Sequence, residues 1–291
     1  MNAVNVRDFV VLGAGLTGLA AASGLGARAI LLEKDKRPGG LVRTECFNGY
    51  WFDRVIHLLY FRDPQTESRI RDLMGAALKP LAPRAWVEID GRVARFPLQT
   101  HLGHLDNPTA INCLRDFAAA TFTGETTPKN FRDFLLSSFG QSLCDLFFLP
   151  YNRKMWKRPL ETLAPSGFQW NIARPDLDQV LRGTLEPDAD SSSYNDNGWY
   201  PRPPKDAPVR GMECLSRALE ATIADLRLEH QVVSVDAEAR QILARSQGTP
   251  YRFSYRHACL SSLPLPQIVQ RCTQAPDELK REMRHLVRNR V

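Results

Sequence analysis

The chain has 291 residues, 43% hydrophobic and 24% charged, with a net charge of +6, which suits a globular protein with a large core and excludes a disordered one. The charge excess is small against 38 basic and 32 acidic side chains. Its one basic-leaning stretch, Lys280 to Arg290, is interrupted by Glu282 and has no aromatic platform, so nucleic acid is not an expected partner and an anionic small molecule is.

In chain order, Asp8 to Leu12 is a short apolar, β-branched run that suits a buried parallel strand. Gly13, Gly15 and Gly18 follow at GxGxxG spacing, then a helix of small residues to about Gly26, then a second buried strand, Ala29 to Leu32, ending on Glu33. This is the order of a nucleotide-binding βαβ unit. Gly13 permits the tight turn, Gly15 lets the backbone approach a pyrophosphate, and Gly18 allows close packing of helix on strand. The phosphate then sits at a helix N-terminus. Glu33 is placed to accept hydrogen bonds from ribose hydroxyls and to repel a 2′-phosphate. Phe9 to Ala27 is uncharged and roughly as long as a membrane span, but its glycines are spaced for a nucleotide loop, so no transmembrane segment is expected.

Just downstream, Gly39 and Gly40 lie between Arg37 and Arg43. A second glycine pair and two further cations suit a cofactor longer than NAD, and FAD is the expected one. Beyond Arg62 the pattern predicts a helix over Thr66 to Leu78, a hairpin over Trp86 to Phe96 turned at Asp90-Gly91, and helices over Ala110 to Phe122 and Asn130 to Phe148. Pro150 to Pro208 is rich in proline and its strands are hard to place, with a polar loop over Asp188 to Asn197. A helix from near Met212 to about Leu226 leads into strands over Leu226 to Asp236, Gln241 to Ser246 and Tyr251 to Leu263. The last has an apolar end at Ala258 to Leu260 that reads as a buried strand returning to the first sheet. The fold class expected is therefore α/β. A Rossmann-like dinucleotide domain is split between residues 1–75 and 205–291, and 76–204 are inserted as a mixed α+β substrate domain.

The six cysteines, Cys46, Cys113, Cys144, Cys214, Cys259 and Cys272, never reach CxxC spacing. They read as reduced, buried thiols of a cytoplasmic protein, with no metal site and no catalytic role.

With its GxGxxG, acid and RxGG order, the chain resembles the FAD-dependent amine-oxidase superfamily. Within it, the likeness runs to UDP-galactopyranose mutases and protoporphyrinogen-oxidase-like flavoproteins. Further carriers are Phe47 to Asp53 with His57, Phe96 to Gln99, Phe148 to Trp156, the pair Trp170 and Arg174, Tyr200 to Arg202 and Gly211 to Leu219. The resemblance implies a bound flavin with a small-molecule substrate, such as a UDP-sugar, against its face. It also implies either sugar-ring isomerisation without net redox change or hydride transfer to the flavin. It would make Arg174 a clamp on a substrate diphosphate, with Trp170, Tyr151 and Asn152 beside the substrate. The competing reading makes Tyr151, Asn152 and Trp156 helix anchors, Trp170 packing and Arg174 an ion pair. His57 would stand next to the flavin and shape its pocket, and the backbone of Val232 would meet the adenine. Two departures stand against the pattern. Val55-Ile56 replaces the glycines expected before the histidine, and β-branched residues resist unusual backbone angles. The chain also stops earlier than the family does, which reads as a fragment or a truncated gene and leaves a non-catalytic flavoprotein remnant as the rival reading.

Overall fold

The computed structural model describes residues 5–286 except 56, 83–84, 123–126, 166–171, 173 and 189–197. The chain begins with β1 (Asn5–Leu12), α1 (Leu16–Leu25), β2 (Ala29–Leu32), β3 (Thr44–Phe47) and β4 (Tyr50–Asp53). Next come α2 (Pro64–Met74), β5 (Leu78–Leu81), β6 (Trp86–Ile89) and β7 (Arg92–Arg95). Helices α3 (Asn107–Phe122), α4 (Phe131–Phe139), the short α5 (Gln141–Leu143), α6 (Leu149–Trp156) and α7 (Leu177–Leu185) follow. The chain closes with β8 (Gly198–Pro201), α8 (Glu213–Glu220), β9 (Leu226–Arg227), β10 (Gln231–Asp236), β11 (Gln241–Ser246), β12 (Thr249–Ser261), α9 (Leu265–Arg271) and α10 (Asp277–Glu282). It divides into two compact units, Met1–Pro80 with Trp199–Val291, and Leu81–Gly198.

The first unit is built on a six-stranded sheet of order β10-β11-β12-β1-β2-β9. β1 runs parallel to both β12 and β2, and β10 to β12 form an antiparallel meander. Alternation along β1 and β2 feeds a core on each face. Val10, Leu12, Ile30 and Leu32 join Ile242 and Phe253 on one side. Val11, Ala29 and Leu31 join Leu19 and Ala22 of α1 and Leu219 of α8 on the other. Strands buried on both faces read as continuous apolar runs, which is why β2 is legible residue for residue.

The returning strand is where expected: Phe9, Val10 and Val11 pair with Ala258, Cys259 and Leu260. Its burial differs from the expectation. Cys259 packs on the first of these clusters, but Leu260 joins neither and is 39% exposed.

Three helix limits are corrected. The helix expected to run to Leu78 stops at Met74, because Gly75 turns the chain at φ 50°, and Leu78 opens β5. The helix expected over Asn130 to Phe148 breaks at Gly140, at φ 77°. A glycine there is the usual helix stop, and the chain resumes as α5, a π-helical turn over Cys144–Phe148, and α6. The helix expected to reach Leu226 ends at Glu220, and Leu226 opens β9 beside β2.

In the second unit the hairpin β6–β7 pairs Ile89 with Arg92 around Asp90 and Gly91, at φ 50° and 77°, as a two-residue turn with both central residues left-handed requires. The core is helical: Phe117, Phe131, Phe134, Phe139, Leu143 and Phe148 are buried together with Leu98 and Val180. Helix α7, hidden in the proline-rich stretch, is opened by a capping box between Asp176 and Gln179. No described helix is long and apolar enough to cross a membrane.

Burial pushes the Cys113 thiol up to about 11 and the Cys144 thiol up to about 12, while Cys46 is exposed. Since the thiolate is the reactive form, a thiol reagent at neutral pH labels Cys46 first. Peptide mapping would show Cys113 and Cys144 unmodified until the chain unfolds.

Candidate functional site: a dinucleotide cradle

The site begins where β1 ends. Gly13, at φ 90°, donates its N–H to Leu32 O at 2.8 Å and turns the chain into α1. A methyl on Gly18 would overlap the Gly13 carbonyl oxygen, so that helix start is reserved for glycine. Gly15 occupies the N-cap and no side chain caps it. The first intrahelical bond runs from Leu19 N to Gly15 O at 3.0 Å. The N–H groups of Leu16, Thr17 and Gly18 precede it and have no carbonyl within the helix to bond. A Cβ built on Gly15 meets nothing within 4 Å, so space lies open at these donors.

The second glycine pair closes on the first. Gly39 donates to Ala14 O at 2.7 Å and bridges Gly15. A Cβ on Gly40, at φ 57°, would press on Gly15 Cα at 3.2 Å. Open N–H groups, the positive end of a helix and a cradle that Cβ atoms would fill fit a pyrophosphate. Glu33 is buried at the end of β2, and its carboxylate accepts from Ala14 N at 2.7 Å and Asp35 N at 2.9 Å. It therefore holds the glycine loop.

The two arginines have separate tasks. Arg43 is only 4% exposed; it donates to Pro38 O at 3.1 Å and to Arg37 O, and pairs with Asp35 at 2.8 Å. It staples the loop from inside. Partial burial pulls Asp35 the other way, but hydrogen bonds from Lys34 and Arg43 hold its carboxyl below the usual range. Arg37 is one-third exposed and lies between Glu45 at 2.5 Å and Glu213 at 3.3 Å.

Behind the loop is a network that single residues did not announce. Glu213 accepts from Thr44 N at 3.0 Å, and Glu213 N donates to Thr44 Oγ1 at 3.2 Å. Thr44 Oγ1 donates to Asp53 at 2.5 Å. Asp53 also accepts from Met212 N at 3.0 Å and from the Tyr200 hydroxyl at 2.5 Å. Burial, reinforced by the Asp53 carboxylate, pushes the Tyr200 hydroxyl well above its ordinary value. Glu213 and Thr44 are 169 positions apart, so no local signal points to the pair. Asp53 and Tyr200 are visible only as members of longer motifs.

Of the remaining expected residues, His57 and Val232 belong to the first unit. His57 is exposed, and its Nδ1 lies against the next carbonyl, Leu58 O. The carbonyl of Val232, proposed for the adenine, accepts from Arg271 Nε at 2.9 Å. In the second unit, buried Asn152 turns inward, donating to Phe148 O at 2.8 Å and accepting from Trp156 Nε1 at 3.3 Å. Arg174 is exposed, its guanidinium 5.7 Å from the Phe134 ring centroid; Trp170 and Ile56 lie outside the described residues. Tyr151 does line a site, an open groove of about 760 Å³ with Trp86, Phe96, Phe147, Lys154 and Glu88 among its walls. Its ring stacks on Phe147 at 5.2 Å.

Residues 11–76 match the family described as NAD(P)-binding Rossmann-like domain, the segment holding both glycine pairs. Reduced UDP-galactopyranose mutase is similar over 95% of this chain and 60% of its own, at TM-score 0.82 and 24% identity. A putrescine oxidase is similar over 97% and 64%, at 0.59 and 18%. A fatty acid isomerase from P. acnes is similar over 96% and 63%, at 0.56 and 13%. The chain thus spans less than two thirds of the length of these structures. A Rossmann-like domain is what the sheet order and the match over residues 11–76 together define. The chain shares its fold with the flavin-linked and other structures just named only at the level of that likeness, with UDP-galactopyranose mutase at the highest TM-score of the three.

Proposed function

We propose that the chain binds FAD in the cradle of its first unit and that the protein is a flavoenzyme acting on a nucleotide sugar or a related metabolite. The observation that carries the cofactor reading is the double glycine cradle at the start of α1, with the Leu16 to Gly18 N–H groups open toward it. Bound FAD would supply the electron chemistry. The chain's own residues would bind the diphosphate through backbone N–H groups, hold the ribose by Glu33, and fix the loop through Arg43. His57 is proposed as a neighbour of the flavin, and Val232 as a backbone contact for the adenine. Residues 1–75 and 205–291 would form the FAD domain and 76–204 the substrate domain.

The substrate reading rests on the groove. Trp86 and Tyr151 are about half exposed there, and Lys154 pairs with no described carboxylate. Exposed aromatic faces beside an uncommitted ammonium suit a base and a phosphate. Arg174, also without a described ion pair, is proposed as a second phosphate contact, and Trp170 and Asn152 are proposed as further substrate residues. Calorimetric titration with UDP should show binding that Lys154→Ala weakens by about tenfold. A second reading is an oxidoreductase on a more apolar substrate, favoured by Val87, Ile89, Leu146 and Pro150 in the same lining. Absence of UDP binding, with heat released on adding an apolar amine, would favour that second reading.

A further inference from the structure

Arg37 is held by two carboxylates of opposite character. Glu213 is 1% exposed and is fixed by the Thr44 N–H at 3.0 Å and by Arg217 Nε at 3.1 Å. Glu45 is 48% exposed and has a second partner in Arg54, at 2.9 Å. The two carboxylates take different nitrogens of the guanidinium: NH1 faces Glu213 and NH2 faces Glu45. Glu213 keeps Arg217, but a buried carboxylate cannot replace a lost partner with water, so releasing Arg37 from it is costly. Releasing it from a surface carboxylate that keeps another arginine costs little.

We propose that Glu213 is a positioning residue for the nucleotide site, holding Arg37 by NH1 so that NH2 is free to leave Glu45 for the diphosphate of an incoming dinucleotide. This rests on the FAD reading of the cradle and deepens it. Arg37 immediately precedes Pro38, Gly39 and Gly40, and Gly39 is bonded to the first glycine loop. A guanidinium anchored at one end keeps its place on that loop while the other end exchanges partners. A freely mobile Arg37 would have to lose its side-chain freedom each time a ligand bound. Glu213 opens α8, and Thr44 reads its carboxylate and its backbone N–H at once. The anchor is therefore tied to the secondary structure behind the loop. Glu45 acts as the resting partner that the phosphate displaces.

The two carboxylates then have opposite signs of effect, which a general loss of structure would not produce. ADP carries the diphosphate, adenosine does not, and both can be titrated into the purified chain calorimetrically. Glu213→Gln should weaken ADP by about tenfold and leave adenosine unchanged. Glu45→Gln should tighten ADP by about twofold to threefold. Arg37→Gln should weaken ADP about as much as Glu213→Gln, and the double variant should be no weaker than Arg37→Gln alone. The proposal is overturned if Glu213→Gln binds ADP as the parent does. It is equally overturned if the double variant shows the full product of the two losses, or if Glu45→Gln weakens ADP. Should Glu213→Gln not fold, the surface pair decides: Glu45→Gln tightening with Arg37→Gln weakening supports the anchor, and Glu45→Gln weakening overturns it. A parent chain that takes up neither ADP nor FAD would sink the nucleotide reading itself. That outcome is separate from a parent that binds and variants that do not differ.

Discussion

Gly18→Ala is expected to destabilise the chain by about 3 kcal/mol, whereas Gly15→Val is expected to leave its stability within about 1 kcal/mol and to abolish nucleotide uptake. The two glycines sit three residues apart in one motif, yet the space around them differs. An added Cβ on Gly18 would overlap the Gly13 carbonyl oxygen and crowd Ser262 Oγ at 3.1 Å. Both neighbours are fixed, since the Ser262 hydroxyl donates to Gly13 O and Leu12 O at 3.0 Å. The methyl group fits only if α1 moves off β1. Gly15 has φ −70° and ψ 177°, angles open to any residue, and a Cβ there meets no atom within 4 Å. A valine would fold without strain but would fill the room in front of the open N–H groups. Urea melts of the two apoproteins, with ADP titrations of each, separate the effects. Equal loss of stability in both would contradict the account of the loop.

Asp53→Ala is expected to cost about 3 kcal/mol, and Asp53→Asn less. One carboxylate satisfies the Tyr200 hydroxyl, the Met212 N–H and the Thr44 hydroxyl. Gly211, at φ 65°, is packed so closely on Asp53 that a Cβ there would overlap its carboxylate. Alanine leaves the three donors without their acceptor; asparagine keeps one oxygen for them. The same contact sets a pH dependence. Tyr200 has its value raised, first by burial and then by Asp53. The folded state therefore favours the neutral phenol, a contribution whole below the ordinary value of about 10 and lost as pH climbs above it. Urea midpoints should fall on the alkaline side of about pH 10, and less steeply in Asp53→Ala, where part of the raising influence is gone. An equally steep fall in the variant would show that Asp53 does not govern the hydroxyl.

The parts of this molecule legible in its sequence are those where local pattern and packing agree. Ala29 to Leu32 is an unbroken apolar run because both faces of β2 are covered, and the Asp90-Gly91 turn needs two left-handed residues in succession. Helical periodicity overruns at Gly75 and Gly140, since apolar spacing carries on past a glycine that the backbone cannot follow, and again beyond Glu220, where α8 ends ahead of β9. The site divides in the same way. Gly13, Gly15, Gly18 and Glu33 form one contiguous motif, so their arrangement is written locally. Arg37 and Asp53 each have a near partner, Glu45 and Thr44, but Glu213, Met212 and Tyr200 lie more than a hundred positions away, and only folding brings them in. Asn152 spends its amide on Phe148 and Trp156, four positions before and after it, contacts that helical spacing allows but does not single out.

FAD is proposed to lie in the cradle at the start of α1. The most direct measurement is the absorbance spectrum of the purified chain, incubated with FAD, passed through gel filtration and then reduced with dithionite. Bands at about 375 and 450 nm should travel with the protein and bleach on reduction. A colourless protein fraction after incubation with excess FAD would contradict it.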